Sequence, residues 1–91
     1  MGTRRHASLV VRQPNDILGS GKGIPPGRYR GTIEEMVVML HGFEKRQISR
    51  VSIPLEEKQV AEFLGVAPNP RRGPVEVDVT RYFKDGTIGE E

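Results

Sequence analysis

Apolar positions along this chain change their spacing several times, and each change marks an element. Residues 7–13, ASLVVRQ, have the length and β-branching of a short strand, which Pro14 ends. Residues 47–53, QISRVSI, alternate: Ile48, Arg50 and Ser52 are predicted on one face, Ser49, Val51 and Ile53 on the other. Residues 54–64 then switch to helical spacing. Pro54 suits a first helical position, Glu56 and Glu57 sit where the helix dipole favours acids, and Gly65 suits the stop. Val60, Phe63 and Leu64 fall on one face of that helix. Over 74–82 alternation returns, with Val75, Val77 and Val79 set against Glu76, Asp78 and Thr80, and a tight-turn signal follows at 84–87.

One stretch carries two patterns. Residues 32–35, TIEE, have the form of a capping box with Gly42 as a stop, which gives a helix over 33–41. Residues 36–40, MVVML, are apolar all round, and the lead-in PPGRYRGTI reads as a strand leaving a turn. The strand reading places a bend or bulge near Gly31 to Glu34. Residues 36–53 then form a β-hairpin with Lys45 and Arg46 at a basic tip. The fold expected is α+β and mainly β: a small, hairpin-rich, barrel-like domain with one short helix at about 54–64.

Size changes this picture. In 91 residues, 35% apolar and 5% aromatic, there is room for one domain with a modest core, and a second copy interleaved with the first is one way to complete it. The domain is expected over 7–88, with a flexible basic tail at 1–6 and a frayed end at 89–91. Residues 14–27, PNDILGSGKGIPPG, hold four glycines and three prolines, as a functional or mobile loop does. The absence of cysteine fits a reducing compartment, the apolar run after the first basic residues is far too short for a signal peptide, and a cytoplasmic location is expected.

Charge narrows the chemistry. Residues 1–31 hold six Lys/Arg against one Asp, and residues 32–91 eight against eleven Asp/Glu. A basic leading third on a slightly acidic body points to an anionic partner such as nucleic acid, or to a solvated terminus. GSGKG fails the phosphate-loop spacing, since Gly23 follows Lys22 where Ser or Thr is required. A looser contact of Lys22 with a nucleic-acid phosphate remains open. Catalysis has no visible apparatus. His6 and His41 lack a second ligand at useful spacing, and Glu34-Glu35 and Glu56-Glu57 are adjacent pairs whose side chains diverge. No cofactor or metal motif is present, and no run is long enough to span a membrane.

Four short matches support a family resemblance. RVSIP at 50–54, FLGV at 63–66, VEV at 75–77 and Asp85-Gly86 together resemble the swapped-hairpin DNA-binding domains of the AbrB/MazE type, over about residues 37–88. The resemblance implies a homodimer with interleaved hairpins, DNA contacted by basic hairpin residues, and a role in transcription regulation. Ser49 stands where that family has glycine, and Glu56 and Glu57 replace its basic helix residues, so only Arg50 carries over as a matched base. Lys45 and Arg46 rest on the hairpin pattern itself.

A second resemblance covers less. IPPGRYRGTI at 24–33 is similar to the opening strand of phage-type single-strand DNA-binding barrels of the OB-like kind. It implies base stacking on aromatics such as Tyr29, Phe43, Tyr82 or Phe83 and backbone tracking by Arg28, Arg30 and Arg72. Arg71 joins Arg72 in the 66–73 loop. A small accessory or inhibitory protein acting through protein–protein contacts is the alternative from another class.

Overall fold

Three long strands carry the fold. β1 (Gly2–Val11), β2 (Gly27–Leu40) and β3 (Phe43–Leu55) form an antiparallel meander in the computed structural model, which describes residues 2–19, 21 and 23–91. α1 (Glu57–Leu64), β4 (Val75–Asp78), α2 (Thr80–Lys84) and β5 (Ile88–Glu90) follow. The five strands make one sheet in the order β4-β3-β2-β1-β5, antiparallel throughout. β4 and β5 lie at opposite edges, so α2 and the turn after it carry the chain across. Val79 N–H donates to Val51 O at 2.8 Å and Arg12 N–H to Thr87 O at 3.1 Å, fastening this crossing to β3 and to the end of β1. The mainly β expectation holds. A closed barrel does not: among the described residues the two edge strands are not paired with one another.

One face of the sheet is filled and the other left open. Ala7, Leu9 and Val11 of β1, Ile33 of β2, and Val51, Ile53 and Leu55 of β3 point inward and are buried. Ile24, Val60, Val79 and Ile88 close over them, with Ile17, Leu18, Tyr82 and Phe83 half-buried around the edge. The 14–27 loop is therefore seated on the core through Ile17, Leu18 and Ile24. Asp16 Oδ1 accepts the Gly21 N–H at 2.8 Å and Tyr29 OH donates to Pro25 O at 2.7 Å, which pins both ends of the loop. Lys22 lies outside the described residues.

Several boundaries differ from those predicted, each for a local reason. Residues 2–6, expected as a flexible tail, pair with residues 32–36 as the first half of β1. They lack the apolar alternation that signals a strand, because their inward position is filled by Arg5 held on carboxylates. The β2–β3 register passes from Glu34↔Arg50 to Glu35↔Ile48, which leaves Ser49 as a bulge. Ser49 Oγ donates to Glu34 O at 3.1 Å. The bulge turns Ile48 to the inner side with Val51 and Ile53, where strict alternation had placed it with Arg50 and Ser52. The hairpin tip is His41-Gly42, both at positive φ (52° and 81°) as a two-residue type I′ turn requires, so Lys45 and Arg46 lie along β3 and not at the tip.

Downstream, Pro54 belongs to β3 and not to the helix. It lies beyond the last β2 partner, Thr32↔Ser52, where a missing N–H costs no bond on that side. The helix begins at Glu57, with Glu56 as its cap and the Glu56 N–H donating to Gln59 Oε1 at 2.9 Å. Its buried residues are Val60 and Ala61, Phe63 is half-buried, and Leu64 is exposed. The strand predicted over 74–82 stops at Asp78, whose carboxylate accepts both the Thr80 N–H (2.9 Å) and its hydroxyl (2.6 Å), turning the chain into α2. The three-residue β5 pairs with Leu9–Val11, and the Glu91 N–H donates to Ser8 O at 3.0 Å, so 89–91 is seated and not frayed.

Candidate nucleic-acid interface

The open, outer face of the sheet carries several cations that make no salt bridge among the described residues. Alternation fixes which residues point there: Arg4, His6 and Ser8 from β1, Arg28, Arg30, Thr32 and Glu34 from β2, and Arg50, Ser52 and Pro54 from β3. Across the strands these stand in rows, with Arg4, Glu34 and Arg50 in one and His6, Thr32 and Ser52 in the next. Thr32 and Ser52 are only 5% and 7% exposed although they face outward, because their side chains are short beside taller neighbours. They form a low floor between charged walls.

Two shallow hollows adjoin one another beside this floor. One, of about 340 Å³, is lined by residues including Ser8, Arg28 and Arg30; the other, of about 380 Å³, includes Thr32, Pro54 and Glu76. His6 and Arg30 line both. Among the described residues Arg4, Arg30 and Arg50 make no salt bridge, whereas Arg28 is held by Glu91 at 2.7 Å. Glu34, between Arg4 and Arg50, and Asp78 and Glu76 at the β4 edge limit the positive field on that side. The Asp78 carboxyl is held below the usual range first by its hydrogen bonds from Thr80, with the nearby Arg50 charge a smaller cause.

The inner side of the sheet is chemically different. Arg5 Nε lies 3.2 Å from Glu35 Oε1, and its NH2 nitrogen lies 3.0 Å from Glu90 Oε1. These bonds raise the guanidinium pKa further and hold the Glu90 carboxyl low. Arg5 thus carries no free charge toward a ligand.

The residues singled out from the sequence divide between these surfaces. Arg28, Arg30 and Arg50 share the outer face, and Lys45 lies further along it, opposite Val38. Arg46 points to the other side, 3.9 Å from Glu35, so Lys45 and Arg46 do not converge. Arg71 and Arg72 sit on the exposed 66–73 loop, and Arg72 lines a separate hollow beside Glu56, Glu57, Pro68 and Pro70. Tyr29 points inward and packs on the core, where burial pushes its phenol up. Tyr82 OH reaches Asp16 O at 3.5 Å, so the two tyrosine hydroxyls both tether the 14–27 loop. His6 and Arg4 were missed because a strand over 2–6 was not recognised. Extending the 7–13 strand backwards with period 2 places both on the face of Ser8, and the register with β2 then sets His6 opposite Thr32 and Arg4 opposite Glu34.

Among the described residues no group of three or more His, Cys, Asp or Glu is placed to hold a metal ion, and no helix is long and apolar enough to cross a membrane. Comparison with protein-family patterns, with characterised proteins and with solved structures gives no match to this chain.

Proposed function

We propose that this chain binds nucleic acid without catalysing a reaction, through the outer face of its sheet. The observation that carries the reading is the set of unpaired arginines, Arg4, Arg30 and Arg50, arrayed with His6 around a low polar floor. Arginine's planar fork of donors suits phosphate oxygens, and three such groups that make no salt bridge among the described residues, against the one carboxylate of Glu34 in their midst, favour a polyanion over a neutral ligand. Adjacent β-strands lie about 4.8 Å apart, so Arg4 and Arg50, on either side of β2, stand roughly 10 Å apart and can flank a backbone that runs along β2. The β2–β3 hairpin pairs with β1 and β4 of its own chain, so the face is assembled within one molecule.

Salt dependence tests the reading. Affinity for DNA is expected to fall steeply between about 50 and 200 mM salt, with a log–log slope set by the phosphates neutralised. Arg30→Ala with Arg50→Ala should flatten that slope by close to two units. A slope unchanged in the double variant, or no binding to DNA or RNA at low salt, would falsify the assignment.

A further inference from the structure

The outer face continues past its arginines onto an apolar arm. Beyond the reach of β1 and β4, β2 and β3 run on alone as a two-stranded hairpin. Met36, Val38 and Leu40 of β2 and Phe43 of β3 share the face that carries Arg4, Arg30 and Arg50, interrupted only by Lys45 and Gln47. Met36 is 48% exposed, Leu40 53% and Phe43 76%. A contiguous apolar strip is unlike the single exposed residues that any surface carries.

Phe43 is the sharpest anomaly. The chain has five aromatics, and the other four, Tyr29, Phe63, Tyr82 and Phe83, are all half-buried. A domain this short of core material gains most by burying its rings, yet Phe43 is held out beside the tight His41-Gly42 turn.

From Arg30 to Leu40 the strip is roughly 33 Å long at about 3.3 Å per residue, arginine-rich around the single carboxylate of Glu34 at one end and apolar at the other. The two halves discriminate between polyanions. A duplex offers phosphates to the arginines but keeps its base faces stacked inside, leaving the arm bare in water. An unpaired strand offers phosphates and open base faces together. We infer that the ligand of this face is single-stranded nucleic acid laid along β2, its backbone on Arg4, Arg30 and Arg50 and its bases against Met36, Leu40 and Phe43. The inference rests on the proposed nucleic-acid reading. A strip of this length takes on the order of five nucleotides, at the low end of single-strand sites.

Fluorescence anisotropy of the full chain with labelled oligo-dT and with a duplex of equal length provides the test, alongside far-UV circular dichroism of each variant. The single strand is expected to bind at least tenfold tighter than the duplex. Phe43→Ala should weaken single-strand binding about fivefold or more without weakening duplex binding, and Phe43→Trp, which keeps an aromatic face, should retain affinity and show quenched emission on binding. Equal affinity for the two forms, or a Phe43→Ala variant with unchanged single-strand affinity, overturns the inference; loss of affinity in the Arg30/Arg50 variant would show that the broader nucleic-acid reading survives it. Absence of binding to either form at low salt overturns both.

Discussion

Arg5 bridges Glu35 on β2 and Glu90 on β5, so one side chain of β1 fastens the strands on both of its flanks. β5 is only three residues long, and this contact adds to its short ladder with β1. Glu90 is held below its ordinary value of 4.5 first by the hydrogen bond from Arg5, so it stabilises the fold above that value. The stabilisation is lost as pH falls through the lower, folded-state value. Glu90→Gln should therefore lower Tm at neutral pH, and the gap to wild type should close on acidification. A gap that is constant between pH 7 and pH 3 would show that the charge contributes nothing.

Thr80 completes the ladder of β3 from outside the sheet. Its hydroxyl accepts the Val51 N–H at 2.9 Å, at a position where β4 has already ended. Thr80→Val keeps the shape and removes the acceptor, leaving a part-buried backbone donor without its partner. The expected cost is about 1–3 kcal/mol. A urea titration reads it as a fall in midpoint with an unchanged slope.

Gly31 is required by a close approach between strands. A Cβ there would collide with Cδ1 of the fully buried Leu9 side chain and lie 2.8 Å from the backbone Ser52 O. Gly31→Ala should destabilise by roughly 1–3 kcal/mol through overpacking. A Tm within a degree of wild type would mean that Leu9 repacks freely.

His41 occupies the first central position of the type I′ turn at φ 52°, a conformation that Asn adopts more readily. His41→Asn should raise stability by a few tenths of a kcal/mol, within the range of favourable turn substitutions. Thermal unfolding of the two proteins at one pH is the measurement.

Lys45 and Arg46 separate by face. Lys45 shares the outer side with Arg50, and Arg46 lies opposite, near Glu35. Lys45→Ala is expected to weaken nucleic-acid binding two- to fivefold, as loss of one phosphate contact does. Arg46→Ala should leave it within twofold. The reverse ranking in a binding titration would place the ligand on the inner side of the arm.

How legible this was in the sequence depended on whether a signal was local. The β2 strand, one of two readings of residues 32–41, and the glycine stop of α1 are local signals and both are present, whereas the bulge expected on β2 near Gly31 to Glu34 lies on β3. The Ser49 bulge is invisible in the alternation, because it arises from the pairing with β2 and reverses the side on which Ile48 lies. Residues 2–6 read as a tail because their inward-facing residue is an arginine, whose carboxylate partners stand 30 and 85 positions away. The candidate site shared this fate. Arg28, Arg30 and Arg50 were found as isolated bases, whereas their grouping with Arg4 and His6 exists only through the β1–β2–β3 register.

The arm has a cost that binding does not reveal. From Phe43 to Arg50 the outer edge of β3 has no partner strand among the described residues, so its backbone donors and acceptors form a template for another copy's edge. Lys45, Arg46 and Arg50 lie along that edge and oppose its pairing with a like strand by repulsion. Variants that neutralise them to dissect recognition will also remove a guard against aggregation. Their solubility should be followed with protein concentration and salt before any loss of affinity is read as a lost contact.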